Sequence, residues 1–222
     1  ELYNQFIVDL QKTGCQLVIL SGNHDSVSVL NESSALLRYL NTHVITSNSE
    51  SPVITLKDKQ GNPNGLVCAI PFLRPRDIQV SIAGQSSEEK QLSLQNAIHE
   101  HYQSCYQKAV EQRTELNLDI PIIATGHLTV VGAELTDSVR EIYIGTLDAF
   151  PSGAFPPADY IALGHIHRPQ LIGGQAHIRY SGSPIALSFD ESQQQKSVCL
   201  VEFNQHQFAN VTLLPIPVFQ PL

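Results

Sequence analysis

Three stretches of this chain end an apolar run on a glycine and then present side chains able to bind a metal. They are Gly22-Asn23-His24, Gly126-His127 and Gly164-His165-Ile166-His167. The runs before them, residues 16–20, 120–125 and 160–163, read as buried strands. In open α/β sheets, ligands bind in the crevice beyond the carboxyl ends of the strands, so three such ends can converge although they lie far apart in sequence. A glycine lets the backbone turn sharply and approach an ion closely. Imidazole nitrogen with amide or carboxylate oxygen suits Mn, Fe or Zn better than Ca or Mg. A centre of that kind serves metal-assisted hydrolysis of a phosphoester.

Each motif alone has a bland reading. A Gly-Asn-His-Asp loop is commonly only a turn, because Asn and Asp tolerate left-handed backbone. A single His127 is more often a hydrogen-bonded histidine than a ligand. His165 and His167 read equally as two side chains on one strand face. Taken together, in this order and each at a strand end, they point to one metal site. Asn23, His127, His165 and His167 are its expected ligands, with His24 and Asp25 beside them. His99 and His101 lie two apart on an expected helix and do not share a face. His43, His177 and His206 have no neighbours of the right kind. Arg74-Pro75-Arg76-Asp77 reads either as a phosphate-contacting loop or as a solvated basic turn.

The elements that must position these groups follow from pattern. Leu2, Phe6, Ile7 and Leu10 recur at helical spacing before Gly14, and a strand follows at residues 16–20. Such a helix is usually a right-handed crossover between parallel strands, which places an expected first strand before residue 1. The chain opens on Glu1 and contains no Met, so it is expected to be an internal piece of a longer protein. A helix is expected at residues 33–40. Strands at 53–56 and 66–70 flank the turn sequence at 60–65, and Ser86-Ser87-Glu88-Glu89 resembles a capping box opening a helix that reaches Arg113. Residues 171–172 and 178–180 face each other across Gly173-Gly174, and 198–203 with 208–214 complete an antiparallel end. Parallel units early and a meander late predict an α/β chain with two sheets packed face to face and helices outside. Residues 1–214 form the expected domain. Pro215-Ile216-Pro217, with Pro221, read as the start of a linker at 215–222.

Composition narrows the class. With 222 residues, 42% hydrophobic and 15% charged, the chain fits an ordinary globular domain. The formal net charge of −8 argues against a bulk electrostatic nucleic-acid binder. DNA would have to be held locally, by Arg74, Arg76, Arg140, Arg168, bound metal or partners. No apolar run approaches the ~20 residues of a membrane span, and the N-terminus is not a signal peptide. The four cysteines (Cys15, Cys68, Cys105, Cys199) are far apart and read as small buried residues in a reducing cytosol.

The motifs resemble those of the calcineurin-like metallophosphoesterases, whose pattern runs Asp-x-His, Gly-Asp-x-x-Asp, Gly-Asn-His-Asp/Glu, His, Gly-His-x-His. Longer strings are similar to a bacterial DNA-end nuclease branch of that family. They include Ile70-Pro71-Phe72-Leu73-Arg74-Pro75-Arg76-Asp77, Ala124-Thr125-Gly126-His127-Leu128-Thr129 and Tyr143-Ile144-Gly145-Thr146. Others are Phe155-Pro156-Pro157-Ala158-Asp159-Tyr160 with its continuation to Arg168, and Ser181-Gly182-Ser183-Pro184. The resemblance implies a four-layer α-β-β-α sandwich, here without its N-terminal part, and an absent C-terminal capping domain. It implies that Asn23, His127 and His165 hold one metal and His167 helps hold a second, with Mn²⁺ foremost. His24 would stand by the phosphate, with Asp25 orienting it. Apart from the resemblance, Arg74, Arg76 and Arg168 are the residues expected to meet the substrate. The implied activities are 3′→5′ exonuclease on double-stranded ends and endonuclease on hairpins and single strands, in DNA repair, recombination and replication. The implied partner is an ATPase, in a heterotetramer containing a homodimer, in the bacterial cytoplasm at the nucleoid.

Asp-x-His and Gly-Asp-x-x-Asp are absent from this chain. Asn23, His127, His165 and His167 are neutral donors, and two divalent ions among neutral groups need a bridging carboxylate that no Asp or Glu here stands ready to supply. This chain alone is therefore expected to bind metal poorly and to be nearly inactive. A metallophosphoesterase acting on a non-DNA phosphoester and a degenerate scaffold stay open as alternatives.

Overall fold

Four parallel strands at the centre of a six-stranded sheet carry two of the three strand ends. The computed structural model describes residues 2–47, 52–79, 84–139 and 149–218. Arg140, the Tyr143-Ile144-Gly145-Thr146 string and Pro221 lie outside the described residues.

Helix α1 (Leu2–Gln11) buries Ile7, and the turn after it uses Gly14 at φ 77°. Strand β1 (Leu17–Leu20) follows. Short helices α2 (Val27–Asn31) and α3 (Ser34–Arg38) then lead to β2 (Thr42–Ile45), which pairs in parallel with β1. β3 (Val53–Lys57) and β4 (Pro63–Cys68) form the expected antiparallel hairpin. β4 begins at Pro63 rather than 66, because the Asp58 carboxylate accepts from the Gln60 and Asn62 amides and closes the turn by residue 62. After α4 (Pro75–Ile78), the long helix α5 (Ser87–Leu116) opens on the capping box. The Ser86 hydroxyl accepts from Glu89 N, and Ser86 N donates to the Glu89 carboxylate.

β5 (Ile122–His127), β6 (Tyr160–Gly164), β7 (Gln170–Ile172) and β8 (Gln175–Tyr180) complete the sheet, in the order β3-β4-β5-β6-β8-β7. β4, β5, β6 and β8 run parallel, and β3 and β7 are antiparallel edges. β9 (Ser197–Asn204) and β10 (Gln207–Pro215) make a separate antiparallel ribbon. Its pairing reaches Pro215, and Ile216 N donates to Lys196 O at 2.8 Å.

Burial follows the alternation of the strands. One face of the large sheet packs Leu66, Ile122 and Ala124 against Leu94, Ile98 and Tyr102 of α5. The other face presents Val67 and Ile123 to Val18, Leu20 and Ile45 of β1–β2. Ile7, Leu37 and Val44 then join α1 and α3 to the outer side of that pair. Each large side chain so buried contributes about 1.5–3 kcal/mol. The order is helix, sheet, strand pair, helices, an α/β arrangement as expected. The second sheet differs from expectation, because the described residues build it as two ribbons, β1–β2 and β9–β10. A cavity of about 710 Å³, lined in part by Cys15, Ile123, Tyr160, Val201 and Phe203, lies between them and the large sheet. Periodicity identifies a strand but not the neighbour that will satisfy its edge.

The cysteine expectation is corrected for two positions. Cys68 and Cys105 are buried, but Cys15 is exposed and Cys199 half-buried, and all four are free thiols. Cys15 lies in the solvated turn before β1, and Cys199 belongs to a ribbon with little covering it. Among the described residues, no helix is long and apolar enough to cross a membrane.

Candidate functional site

The turn after β1 is anchored from two sides. Ser21 N donates to Ile45 O and its hydroxyl to Thr46 O, while Ser21 O accepts from Phe72 N at 2.9 Å. Asp25 Oδ2 accepts from Gly22 N at 2.6 Å, which closes the turn and leaves His24 exposed. A Cβ on Gly22 would stand 2.6 Å from His127 Cε1, so only glycine lets the imidazole pack on this backbone.

β5 delivers His127. The Thr125 hydroxyl ties β5 to Ile70 N at 2.7 Å, and Tyr102 of α5 donates to Thr125 O at 3.0 Å. His127 Nε2 then lies 2.7 Å from Asn23 Oδ1, a contact across 104 residues, and Phe72 stands edge-on at a 6.1 Å centroid distance. β6 ends at Gly164, close under the His127 ring, and the chain turns at His165 with φ 92°. A non-glycine residue held there is strained, as residues at functional sites often are. The His127 and His165 rings sit 5.2 Å apart. His165 Nε2 is buried and has no hydrogen-bond partner among the described residues. Leaving such a nitrogen unpaired costs about 1–3 kcal/mol.

His165 and His167 do not share a strand face. The strand has ended, and Ile166 between them is buried in the core. His167 lies in a different environment. Its Nδ1 is 2.6 Å from Ser138 Oγ and 3.1 Å from Glu191 Oε1, and its carbonyl accepts from Ser183 N and from Lys196 Nζ, each at 3.0 Å. Glu191 is fully buried, and its Oε2 accepts from Lys196 Nζ at 2.8 Å.

The electrostatics separate these groups. Burial first, then the neighbouring His165, His24 and His167, lower the His127 pKa to about 3. Burial, then His167 and His24, lower that of His165 to about 4. Both rings are therefore neutral near pH 7, and on His127 the contact with the accepting Asn23 Oδ1 places the ring proton on Nε2. The same neighbours place His24 and His167 within electrostatic reach of the pair. For Glu191, burial pushes the carboxyl up. Hydrogen bonds from Lys196, Ser138, Thr136 and the Leu187 amide outweigh it and hold the group below the usual carboxylate range.

The donors fit part of a first-row metal's shell. Asn23 Oδ1, His127 Nε2 and the orphaned His165 Nε2 are of the right type. Among the described residues no carboxylate is shown beside them, and no three His, Cys, Asp or Glu side chains gather in a metal-holding group. Arg168 pairs with Glu134, both largely exposed, and Arg76 lies 3.6 Å from Asp77. Arg74 takes the extended N-cap position of α4. His99 is engaged elsewhere, its Nδ1 2.7 Å from Ala154 O. Sequence reasoning missed Ser138, Glu191 and Lys196, which sit in loops or at a strand start with no local signature.

Comparison with known proteins adds the lineage. The chain is 56% identical over 221 residues to SbcD, the D component of nuclease SbcCD, of Escherichia coli K12, covering 100% of this chain and 54% of that protein. The chain is a homologue of SbcD. Proteins of the same name from Rhodobacter capsulatus and Bacillus subtilis are 34% and 32% identical, over 91% and 84% of this chain and 51% and 46% of theirs. The chain thus spans about half the length of these relatives. No family model matches it.

Proposed function

We propose that this chain carries part of the active site of a nuclease subunit that hydrolyses DNA phosphodiesters by a two-metal mechanism. The observation that carries the reading is the run of contacts between three strand ends, Asn23 Oδ1 with His127 Nε2 and the His127 ring beside the His165 ring, with His165 Nε2 buried and unpaired. The 56% identity to an SbcD nuclease across this chain supports the same reading. The layering described above is compatible with the four-layer metallophosphoesterase sandwich.

In this proposal Asn23, His127 and His165 hold one divalent ion, Mn²⁺ foremost, and His167 helps hold a second, with carboxylates still to be supplied. Bound metal would neutralise phosphate charge and make water acidic enough to attack. Burial keeps His127 and His165 uncharged at pH 7, so neither would repel a cation, and an ion held by His127 Nε2 would replace its hydrogen bond to Asn23 Oδ1 with the ring proton on Nδ1. His24, exposed on its turn, stabilises charge building on the phosphate or gives the leaving oxygen a proton. Asp25 holds the turn that presents it. Arg74, Arg76 and Arg168 give backbone contacts that do not depend on sequence. The substrates are DNA ends and hairpins, cut as 3′→5′ exonuclease and endonuclease in repair, recombination and replication. The partner is an SbcC-type ATPase, the assembly a heterotetramer with a homodimer of this subunit, and the place the bacterial cytoplasm.

One observation favours a second reading. The net charge is −8, and both Arg76 and Arg168 stand beside a carboxylate, which suits a small phosphoester better than a duplex. The test is Mn²⁺-dependent cleavage of end-labelled linear and hairpin DNA by the protein expressed from its complete open reading frame. His24→Ala is expected to lower the rate by ~10²–10⁴-fold while Mn²⁺ still binds. No cleavage by the wild-type protein, with or without the ATPase, would turn the reading to a non-DNA phosphoester or a scaffold.

A further inference from the structure

We propose that Glu191 is a positioning residue for His167, fixing the ring proton on Nδ1 so that the Nε2 lone pair faces no competing proton. The inference deepens the function proposed above and rests on it where His167 is taken as a metal ligand.

The argument is one of proton direction. Glu191 is fully buried and its Oε2 lies 2.8 Å from the Lys196 ammonium, an arrangement that requires the carboxylate to be ionised. An ionised carboxylate accepts hydrogen bonds and donates none. The Ser138 hydroxyl touches both Glu191 Oε1 and His167 Nδ1. Its single proton must go to the carboxylate, so toward the imidazole its oxygen can only accept. His167 Nδ1 must then carry the proton. The direct contact between Nδ1 and Glu191 Oε1, at 3.1 Å, makes the same demand independently. Lys196 also donates to the His167 carbonyl at 3.0 Å, so one buried ion pair holds both the backbone and the tautomer of this residue. A carboxylate behind an imidazole also raises the basicity of its far nitrogen and typically strengthens metal binding 10–100-fold. Nothing in the residues around Glu191 advertises this: it lies 24 positions from His167, in a short turn (Phe189–Glu191).

The test reads the tautomer directly. Long-range ¹H–¹⁵N imidazole spectra would be recorded on the metal-free protein from the complete reading frame, with the His167 signal assigned from His167→Gln. Wild type is expected to show the Nδ1–H form. Glu191→Gln supplies an amide that donates as well as accepts, and is expected to give mixed tautomers and ~10–100-fold weaker Mn²⁺ binding by electron paramagnetic resonance. Because that change strands the Lys196 charge, the double variant Glu191→Gln with Lys196→Met serves if the single one does not fold. An Nε2–H form in wild type, or an unchanged Nδ1–H form in both variants, would overturn the positioning role and leave the nuclease reading standing. A tautomer that shifts as expected in a protein that cleaves no DNA would instead overturn the nuclease reading alone.

Discussion

Two histidines two residues apart sit in opposite kinds of surroundings. His165, with His127 and Asn23, belongs to a group of neutral donors in which one buried nitrogen is unpaired. His167 is tied to Ser138, Glu191 and Lys196, where charges are present and every oxygen of the carboxylate is occupied. The first group is poorly satisfied by the described residues and suits an outside ligand. The second is satisfied from within, and its stabilising bonds leave one nitrogen of His167 outside the network. Both follow from burial. Burial makes an ion pair costly to break and an unpaired imidazole costly to protonate.

The sharpest way to break the contrast is to remove one charge of the closed network. Lys196→Ala leaves Glu191 buried without its partner, and a loss of about 3–5 kcal/mol is expected in urea unfolding. A loss below 1 kcal/mol would mean that water reaches the carboxylate and that the network is not closed. Crowding the open group should cost less. Gly22→Ala puts a Cβ 2.6 Å from His127 Cε1 and must displace that ring from Asn23, so about 1–3 kcal/mol is expected. An imidazole ¹H–¹⁵N spectrum should show His127 shifted and His167 unmoved.

Acid should act on the open group before the closed one. The folded-state values of His127 (about 3) and His165 (about 4) lie below the unfolded value near 6.5. The unfolded chain therefore binds more protons in that interval, and stability falls as pH drops below about 6.5. The slope is at most about 1.4 kcal/mol per pH unit for each ring, and carboxylates titrate mainly below pH 5. Urea midpoints at pH 7 and pH 5 measure it, and a flat result would show that both rings accept protons without unfolding. The smallest effect belongs outside both groups. Arg168→Ala breaks an exposed pair with Glu134 and is expected to change stability by less than about 1 kcal/mol.

Much of the open group was legible in sequence. Gly22, Gly126 and Gly164 mark the strand ends, and the structure gives a steric reason at each: a Cβ would meet His127, Tyr102 and His127 respectively. The Ser86–Glu89 capping box was legible because its bonds close within one helical turn. The closed network was not. Ser138, His167, Glu191 and Lys196 come from separate loops and a strand boundary, and nothing in the residues beside Glu191 distinguishes it from a solvated acidic turn. The break of the second sheet into two ribbons escaped for a related reason, since alternation shows which face of a strand is apolar but not which edge finds a partner.

The sequence by itself determined the inventory: neutral metal-type donors, each behind a glycine at the end of an apolar run, with no Asp-x-His or Gly-Asp-x-x-Asp motif in the chain. Those features are set by side-chain chemistry and by interactions over a few residues. Tertiary structure alone decided that Asn23 meets His127 across 104 positions and that His167 is backed by a buried carboxylate. It decided so because strand order in the sheet, a property of the whole packed chain, sets which loop tips share a crevice and which charges are cut off from water.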